Sequence, residues 1–190
     1  MLYKNHLIVS NAIALPVMAS TNTLELSSIL ALSFGALIPD IDEPGSYIGH
    51  RTRGISDLIK LVFGHRGITH SLLFVLLSGM LFVLVGKLLN IPLHIAFYVT
   101  LGVFLHILED SFGNGGVEWL LPFSKKTYHI VLYNTGSLIE FLIGLLALFL
   151  IVVGFKSGNY DLAQDTFFNL SNISSFMTDF AAKVGDFIHK

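Results

Sequence analysis

Three stretches of this chain, Ser71–Leu89, Ile91–Leu108 and Ser137–Phe155, run for 18 or 19 residues with almost no charge, and they dictate the solvent it folds in. A helix needs roughly 20 apolar residues to cross the ~30 Å hydrocarbon core of a bilayer. Backbone polar groups at that depth must be satisfied within the segment, so helices are the expected form. Two further apolar runs, Leu7–Ser20 and Leu24–Pro39, are shorter. Pro16 is placed to kink the first, and its Ser10 and Asn11 suit a helix packed inside a bundle rather than against lipid. The expected architecture is an all-α integral membrane bundle of about five spans, with a short, partly crossing hairpin as the alternative for the first two.

Composition narrows the class further. Only 13% of residues are charged and the mean hydropathy is +0.73, whereas about a quarter of a soluble domain is charged. The bilayer is therefore the first partner. A net charge of -2 gives no bulk attraction to nucleic acid, and no nucleic-acid binding is expected. The absence of cysteine excludes disulfides and thiolate metal sites, leaving His, Asp and Glu as strong ligands. The first run shows no clear small-residue cleavage site, so it is read as a helix rather than a signal peptide.

The polar segments carry the remaining organisation. Within Asp40–Arg66, the residues Ile55, Leu58, Ile59 and Val62 recur at helical spacing and predict a short interfacial helix. Ser111–Gly136 contains Gly113-Asn114-Gly115-Gly116 and predicts a loop with unusual backbone angles. Ile173, Phe176, Met177, Phe180, Val184, Phe187 and Ile188 predict an amphipathic C-terminal helix. The division is thus a membrane-embedded unit over 1–156 and a tail over 157–190. With alternating spans, Lys4, Arg51, Arg53, Lys60, Arg66, Lys125 and Lys126 share one face, and Lys87 and Lys156 flank the other. The positive-inside bias makes the first face cytoplasmic.

Every strong metal-ligand candidate falls on that same face. His106 and Asp110 end the fourth run at i and i+4, which places them on one side of a helix. Asp40 and Asp42 close the second run, where two acids oppose the helix macrodipole and call for a compensating positive charge. Gly64-His65-Arg66-Gly67-Ile68-Thr69-His70-Ser71 opens the third run. Its His70 sits where an ionisable group is costly and usually functional. His6 precedes the first span, and Glu140 lies one turn inside the fifth, where it needs a partner. His94 and His189 fall elsewhere; His50 and His129 are weak candidates in long loops. The set His6, Asp40, Asp42, His65, His70, His106, Asp110 and Glu140 has nitrogen and oxygen but no sulfur, which suits zinc, with manganese as the second choice. So many ligands point to two ions, a number that suits phosphoryl transfer. Arg66, with Arg51, Arg53 and Thr69, would hold the phosphate, and Asp42 would act at the ions; Glu109 or His50 could supply a proton.

At these residues the chain resembles the YdjM-like, LexA-associated bacterial inner-membrane proteins named as metal-dependent hydrolases. The matching pieces are His6, Leu37-Ile38-Pro39-Asp40-Ile41-Asp42 with Ser46, the Gly64–Ser71 octet, His106-x-x-x-Asp110 with its Gly-rich loop and Pro122-Phe123, and Gly136-Ser137-x-x-Glu140. They cover about residues 1–145. The order of ligands is also similar to the zinc-dependent phospholipase C and P1 nuclease group, although a further His-x-x-x-Glu of that group has no counterpart at the same spacing. The resemblance implies a bacterial inner-membrane hydrolase acting on a phosphoester, such as a phospholipid or polyprenyl phosphate. The rivals are a non-catalytic metal-binding membrane protein with a regulatory or stress-response role, and a metal transporter. Transporter sites sit near the bilayer midplane on broken helices, whereas these ligands gather at one end.

Overall fold

The computed structural model describes residues 1–64 and 66–162; His65 and the tail helix expected beyond residue 162, with His189, lie outside the described residues. Its regular elements are all helical: α1 (Tyr3–Ser20), α2 (Leu26–Gly35), α3 (Arg53–Phe63), α4 (Leu72–Leu88), α5 (Leu93–Ser111) and α6 (Leu138–Lys156). Short 3-10 turns at Ile38–Asp42 and Ile68–His70 lead out of α2 and into α4.

Lengths decide which helices can span. α5 and α6, at 19 residues each, are long and apolar enough to cross a membrane, and α4 is apolar but shorter at 17. α2 has 10 residues, about 15 Å at 1.5 Å per residue, which is half the hydrocarbon thickness. α1 has the length, 18 residues, but carries Lys4, Asn5, His6, Ser10 and Asn11. Among the described residues, two helices thus have the length and hydropathy to span, where five spans were expected. Pro16 lies inside α1, which continues unbroken through it.

The helices alternate in direction around α5, which packs on α1, α2 and α4, while α6 packs on α1. Just over half of α5 is buried against its neighbours but only about a fifth of α6, so α6 presents most of its apolar surface outward. Small residues set the closest approach. A Cβ on Gly35 would fall 2.0 Å from the Val99 carbonyl oxygen, and one on Gly102 would fall 2.2 Å from that of Leu32. Backbone therefore meets backbone where α2 crosses α5, the usual reason for glycine at membrane helix interfaces. Ala14, Leu15, Met18, Leu24, Leu32, Tyr98 and Leu105 fill the core around this crossing.

Two serines start the helices that leave the polar end. Ser71 Oγ accepts the Phe74 N–H at the start of α4, and Ser137 Oγ accepts that of Glu140 at the start of α6, as N-caps do. The loop between α5 and α6 is closed by paired bridges, Gly113 with Tyr133 and Val117 with Tyr128. Within the expected glycine run, Gly116 adopts φ 62, and Gly136 at the loop's end adopts φ 79.

Candidate metal centre

The alternation of helices delivers the start of α1, the exit of α2, the entrance of α4 and the end of α5 to one place. There the His6 and His106 rings stack with centroids 3.8 Å apart, and His70 meets His106 edge-on at 5.3 Å. All three imidazoles are fully buried, and Asp110 is nearly so. Asp110 comes within 3.4 Å of His6 Nε2 through Oδ1. Its Oδ2 lies 3.7 Å from His70 Nε2 and 3.9 Å from His106 Nε2. Asp40 Oδ1 stands 3.6 Å from His106 Nε2. His6, His106 and Asp110 form one grouping with ligand atoms within 4.8 Å of one another, and Asp40, His70 and His106 form another.

The outer side of each ring is as informative as the inner. His6 Nδ1 donates to Glu109 Oε2 at 2.6 Å, and Ser10 Oγ donates to the other Glu109 oxygen at 2.7 Å. His106 Nδ1 donates to the Ala36 carbonyl at 2.7 Å. His70 Nδ1 faces Asp42 Oδ2 at 3.2 Å. An acceptor at Nδ1 fixes the proton there and leaves Nε2 with its lone pair. Such carboxylate or carbonyl supports are the usual outer partners of metal-binding histidines. The Nε2 atoms of His6 and His106 are buried with no hydrogen-bond partner among the described residues, an arrangement that ordinarily needs an explanation such as an ion.

The charges lean the same way. Asp40, Asp42, Glu109 and Asp110 bring four carboxylates to this end. Arg66 Nη2 lies 3.0 Å from Asp110 Oδ2, and the Met1 amino group donates to Asp110 Oδ1 at 2.7 Å. Burying carboxylates is expensive unless cations or donors face them. Tyr133 closes the cluster from the loop, its hydroxyl donating to the Glu109 carbonyl at 2.6 Å. Burial, then the neighbouring carboxylates of Asp110, Glu109 and Glu140, push its phenol above the ordinary value.

Two residues expected as ligands stand outside the cluster. Asp42 is fully buried behind His70: its Oδ2 accepts the Arg66 N–H at 2.9 Å and the Thr69 hydroxyl as well as facing His70. It faces the outer nitrogen of His70 and falls in neither of the two groupings of candidate ligands among the described residues. Glu140 accepts the Gly136 N–H and the Leu2 N–H, both at 2.6 Å, and Asn5 Nδ2 at 2.8 Å. Those donors supply the partner that its buried charge requires, and it ties the start of α1 to the start of α6.

Of the residues expected to bind substrate, Thr69 is buried with its hydroxyl on Asp42. Arg51 lies 3.8 Å over the Tyr47 ring, which itself stacks on Tyr3, and Arg53 opens α3 at the surface. Among the described residues, neither arginine bonds to the cluster. Arg66 does, and its side chain is 22% exposed; Asp40 is 18% exposed, and these two form the centre's open edge. A Cβ at Gly115 would fall 2.1 Å from Arg66 Nη1, so the glycine loop leaves room for the guanidinium. His50 and His129 are exposed, and His94 pairs with Glu25 at 2.6 Å at the opposite end of the helices. Glu109, read with His50 as a possible proton donor, is buried with its two oxygens on His6 and Ser10. Ser10, the Ala36 carbonyl and Tyr133 were not legible as parts of this centre. Only Ser10 left a signal, as a polar residue within an apolar run.

A family model described as YdjM inner membrane protein matches residues 1–176. The inner membrane protein YdjM of Escherichia coli (strain K12) is 38% identical over 113 residues, 59% of this chain and 57% of that protein. The Shigella flexneri protein of the same name matches to the same extent. The uncharacterized protein YvsG of Bacillus subtilis (strain 168) is 34% identical over 110 residues, 57% of this chain and 66% of that protein. The chain thus spans between half and two thirds of the length of these curated relatives. No solved structure matches, so the likeness to the phospholipase C and P1 nuclease group rests on ligand order alone.

Proposed function

This chain belongs to the YdjM inner membrane protein family, and from that premise we propose that it holds a divalent metal ion at one face of the bacterial inner membrane and uses it to hydrolyse a phosphoester. The observation that carries the reading is the pair of buried Nε2 atoms on His6 and His106, which make no hydrogen bond among the described residues although Asp110 stands 3.4 and 3.9 Å away, while each Nδ1 is held by an acceptor. The residues that would hold the ion are His6, His70, His106, Asp40 and Asp110. Their donor set suits zinc, with manganese second.

We propose a single ion in place of the two that the number of ligands suggests. The two groupings share His106, and an imidazole nitrogen offers a single lone pair. Because His106 Nδ1 is bonded to Ala36, its Nε2 cannot serve two ions at once. A bound divalent ion supplies Lewis acidity toward a phosphoryl oxygen and lowers the pKa of water beside it. The chain's own part is orientation. Asp42, Glu109 and the Ala36 carbonyl fix three rings. Arg66 offers a fork of donors matched to phosphate at the edge that, among the described residues, reaches the surface. A phospholipid or polyprenyl phosphate, whose phosphate lies at headgroup level, fits a site at the end of membrane helices.

We place this face in the cytoplasm, by the excess of Lys and Arg around it, with the chain crossing the membrane several times and its tail beyond α6 on the other side. A reporter active only in the cytoplasm should work when inserted near Arg53 and be silent when fused after Lys190; the reverse pattern overturns the orientation.

The activity test uses the full chain in detergent, with zinc or manganese added and then chelated, against phospholipid, polyprenyl-phosphate and nucleotide phosphoesters. Elemental analysis should find metal in the wild type and in Arg66→Ala but not in His106→Ala. Turnover should require metal and fall steeply in Arg66→Ala. A folded, metal-loaded chain that turns over no member of the panel would favour a second reading, a structural or regulatory metal site without catalysis. Its support is the burial of all three histidines and the seating of Arg66 on Asp110.

A further inference from the structure

Next to the metal centre, α3 leaves a row of large apolar side chains uncovered. Ile55, Leu58, Leu61 and Val62 are all exposed, Leu61 to 83%. At 100° per residue these four fall on one edge of the helix, while Arg53, Asp57 and Lys60 fall together on another. Ser56 is fully buried and turns toward the protein, where its hydroxyl limits the space at Gly49. α3 therefore has three sides: one packed on the protein, one polar and one apolar without cover. With 11 residues it is about 16 Å long, too short to cross a bilayer.

The loop between α5 and α6 repeats the pattern at the same end of the bundle. Phe123 is 87% exposed, Ile130 and Val131 are exposed as well, and Lys125 and Lys126 lie between them. The loop is fixed to that end because the Leu72 N–H donates to the Trp119 carbonyl at the start of α4. Apolar side chains interleaved with basic ones are the composition of segments that lie in a membrane surface.

We propose that α3 lies in the plane of the membrane with its apolar edge in the lipid surface, against anionic headgroups, and that the α5–α6 loop enters the same interface beside it. Charge selects this occupant. The segment from Arg51 to Gly64 carries Arg51, Arg53 and Lys60 against a single acid, Asp57, and basic groups at a bilayer surface are drawn to anionic lipid. Continuity selects it as well, since α6 already presents its apolar face outward from the point where the loop ends, with Leu138 and Ile139 exposed. The contact also has a route to the centre. Lys60 bonds Glu43 at 2.8 Å just beyond the turn that carries Asp40 and Asp42, and α3 runs through Gly64 toward Arg66, whose N–H is held by Asp42. Membrane contact by α3 thus bears on both sides of the open edge, whether or not the centre is catalytic.

The chain contains no cysteine, so a single introduced one gives a unique spin label. Full-length Leu58→Cys, Leu61→Cys and Asp57→Cys, each at an exposed position, would be labelled and placed in nanodiscs of phosphatidylcholine with phosphatidylglycerol. Leu145→Cys on the outward face of α6 serves as the lipid reference. Labels at 58 and 61 should collide more with oxygen than with a water-soluble nickel chelate, as at 145, and the label at 57 should do the reverse. Preference for the nickel chelate at 58 and 61 would overturn the proposal by placing that edge in water. Exclusion of both reagents would overturn it too, because protein, either the tail or a second copy, would then cover the edge. In discs of phosphatidylcholine alone, the labels at 58 and 61 should become more accessible to nickel; an unchanged depth would overturn the anionic-headgroup contact.

Discussion

Replacing Glu109 with Gln separates orientation of the metal centre from its ligands. The carboxylate touches no candidate ligand atom; it accepts from His6 Nδ1 at 2.6 Å and from Ser10 at 2.7 Å. Glutamine is nearly isosteric and can still accept from His6 through its amide oxygen, so the ring keeps its place. What changes is the acceptor behind the ring: an amide oxygen draws on the Nδ1 proton less strongly than a carboxyl group that can ionise, and so supports the basicity of Nε2 less. Loss of such an outer partner costs roughly 10- to 100-fold in metal affinity, or about 1.4 to 2.8 kcal/mol. The assay is competition for zinc with a chromophoric chelator, with the full chain in detergent. Glu109→Gln should weaken zinc binding within that range and leave the elution profile intact. His106→Ala, which removes a ligand, should lose far more. Equal affinity in wild type and Glu109→Gln would refute the argument that the carboxylate tunes His6. A wild type that binds no zinc would refute the centre itself.

Two other outcomes follow from packing and burial. Gly102→Val should lower the thermal midpoint sharply, because its Cβ would meet the Leu32 carbonyl oxygen at 2.2 Å and the Ala36 N at 2.7 Å. Overpacking of this kind costs about 1–3 kcal/mol or more, and size-exclusion after heating reads it; Gly54→Ala, with nothing within 4 Å, is the control and should not destabilise. Tyr133 holds its proton longer in the folded protein than in the unfolded chain, so its contribution to stability is full below about pH 10 and is lost as pH rises through the higher folded value. Tyr133→Phe should therefore flatten the alkaline fall in stability, and an identical fall in both proteins would refute the assignment.

The centre was legible to the extent that helix direction follows from length. Once the apolar runs are read as helices that alternate, His6, Asp40, His70, His106 and Asp110 must share an end, because each lies beside the same kind of boundary. Asp42 and Glu140 lie at those boundaries too. What separates them is the direction of a side chain and the donors around it, which spacing does not encode. Asp42 turns behind His70, and Glu140 turns toward the N–H groups of Leu2 and Gly136.

The sequence by itself determined the helical class, the apolar solvent and the polar end, since these follow from the period and length of hydrophobic runs and from where the ionisable residues interrupt them. Tertiary structure alone decided that α2 is half the length of a span, and that it reaches α5 through Gly35 and Gly102. It also decided which carboxylates face the histidines from inside and which support them from behind. The physical reason is that hydropathy averages over many residues and survives small displacements. Ligand geometry, by contrast, depends on contacts of a few ångströms between elements as far apart in the chain as His6 and Glu109, and only the packed helices bring those together.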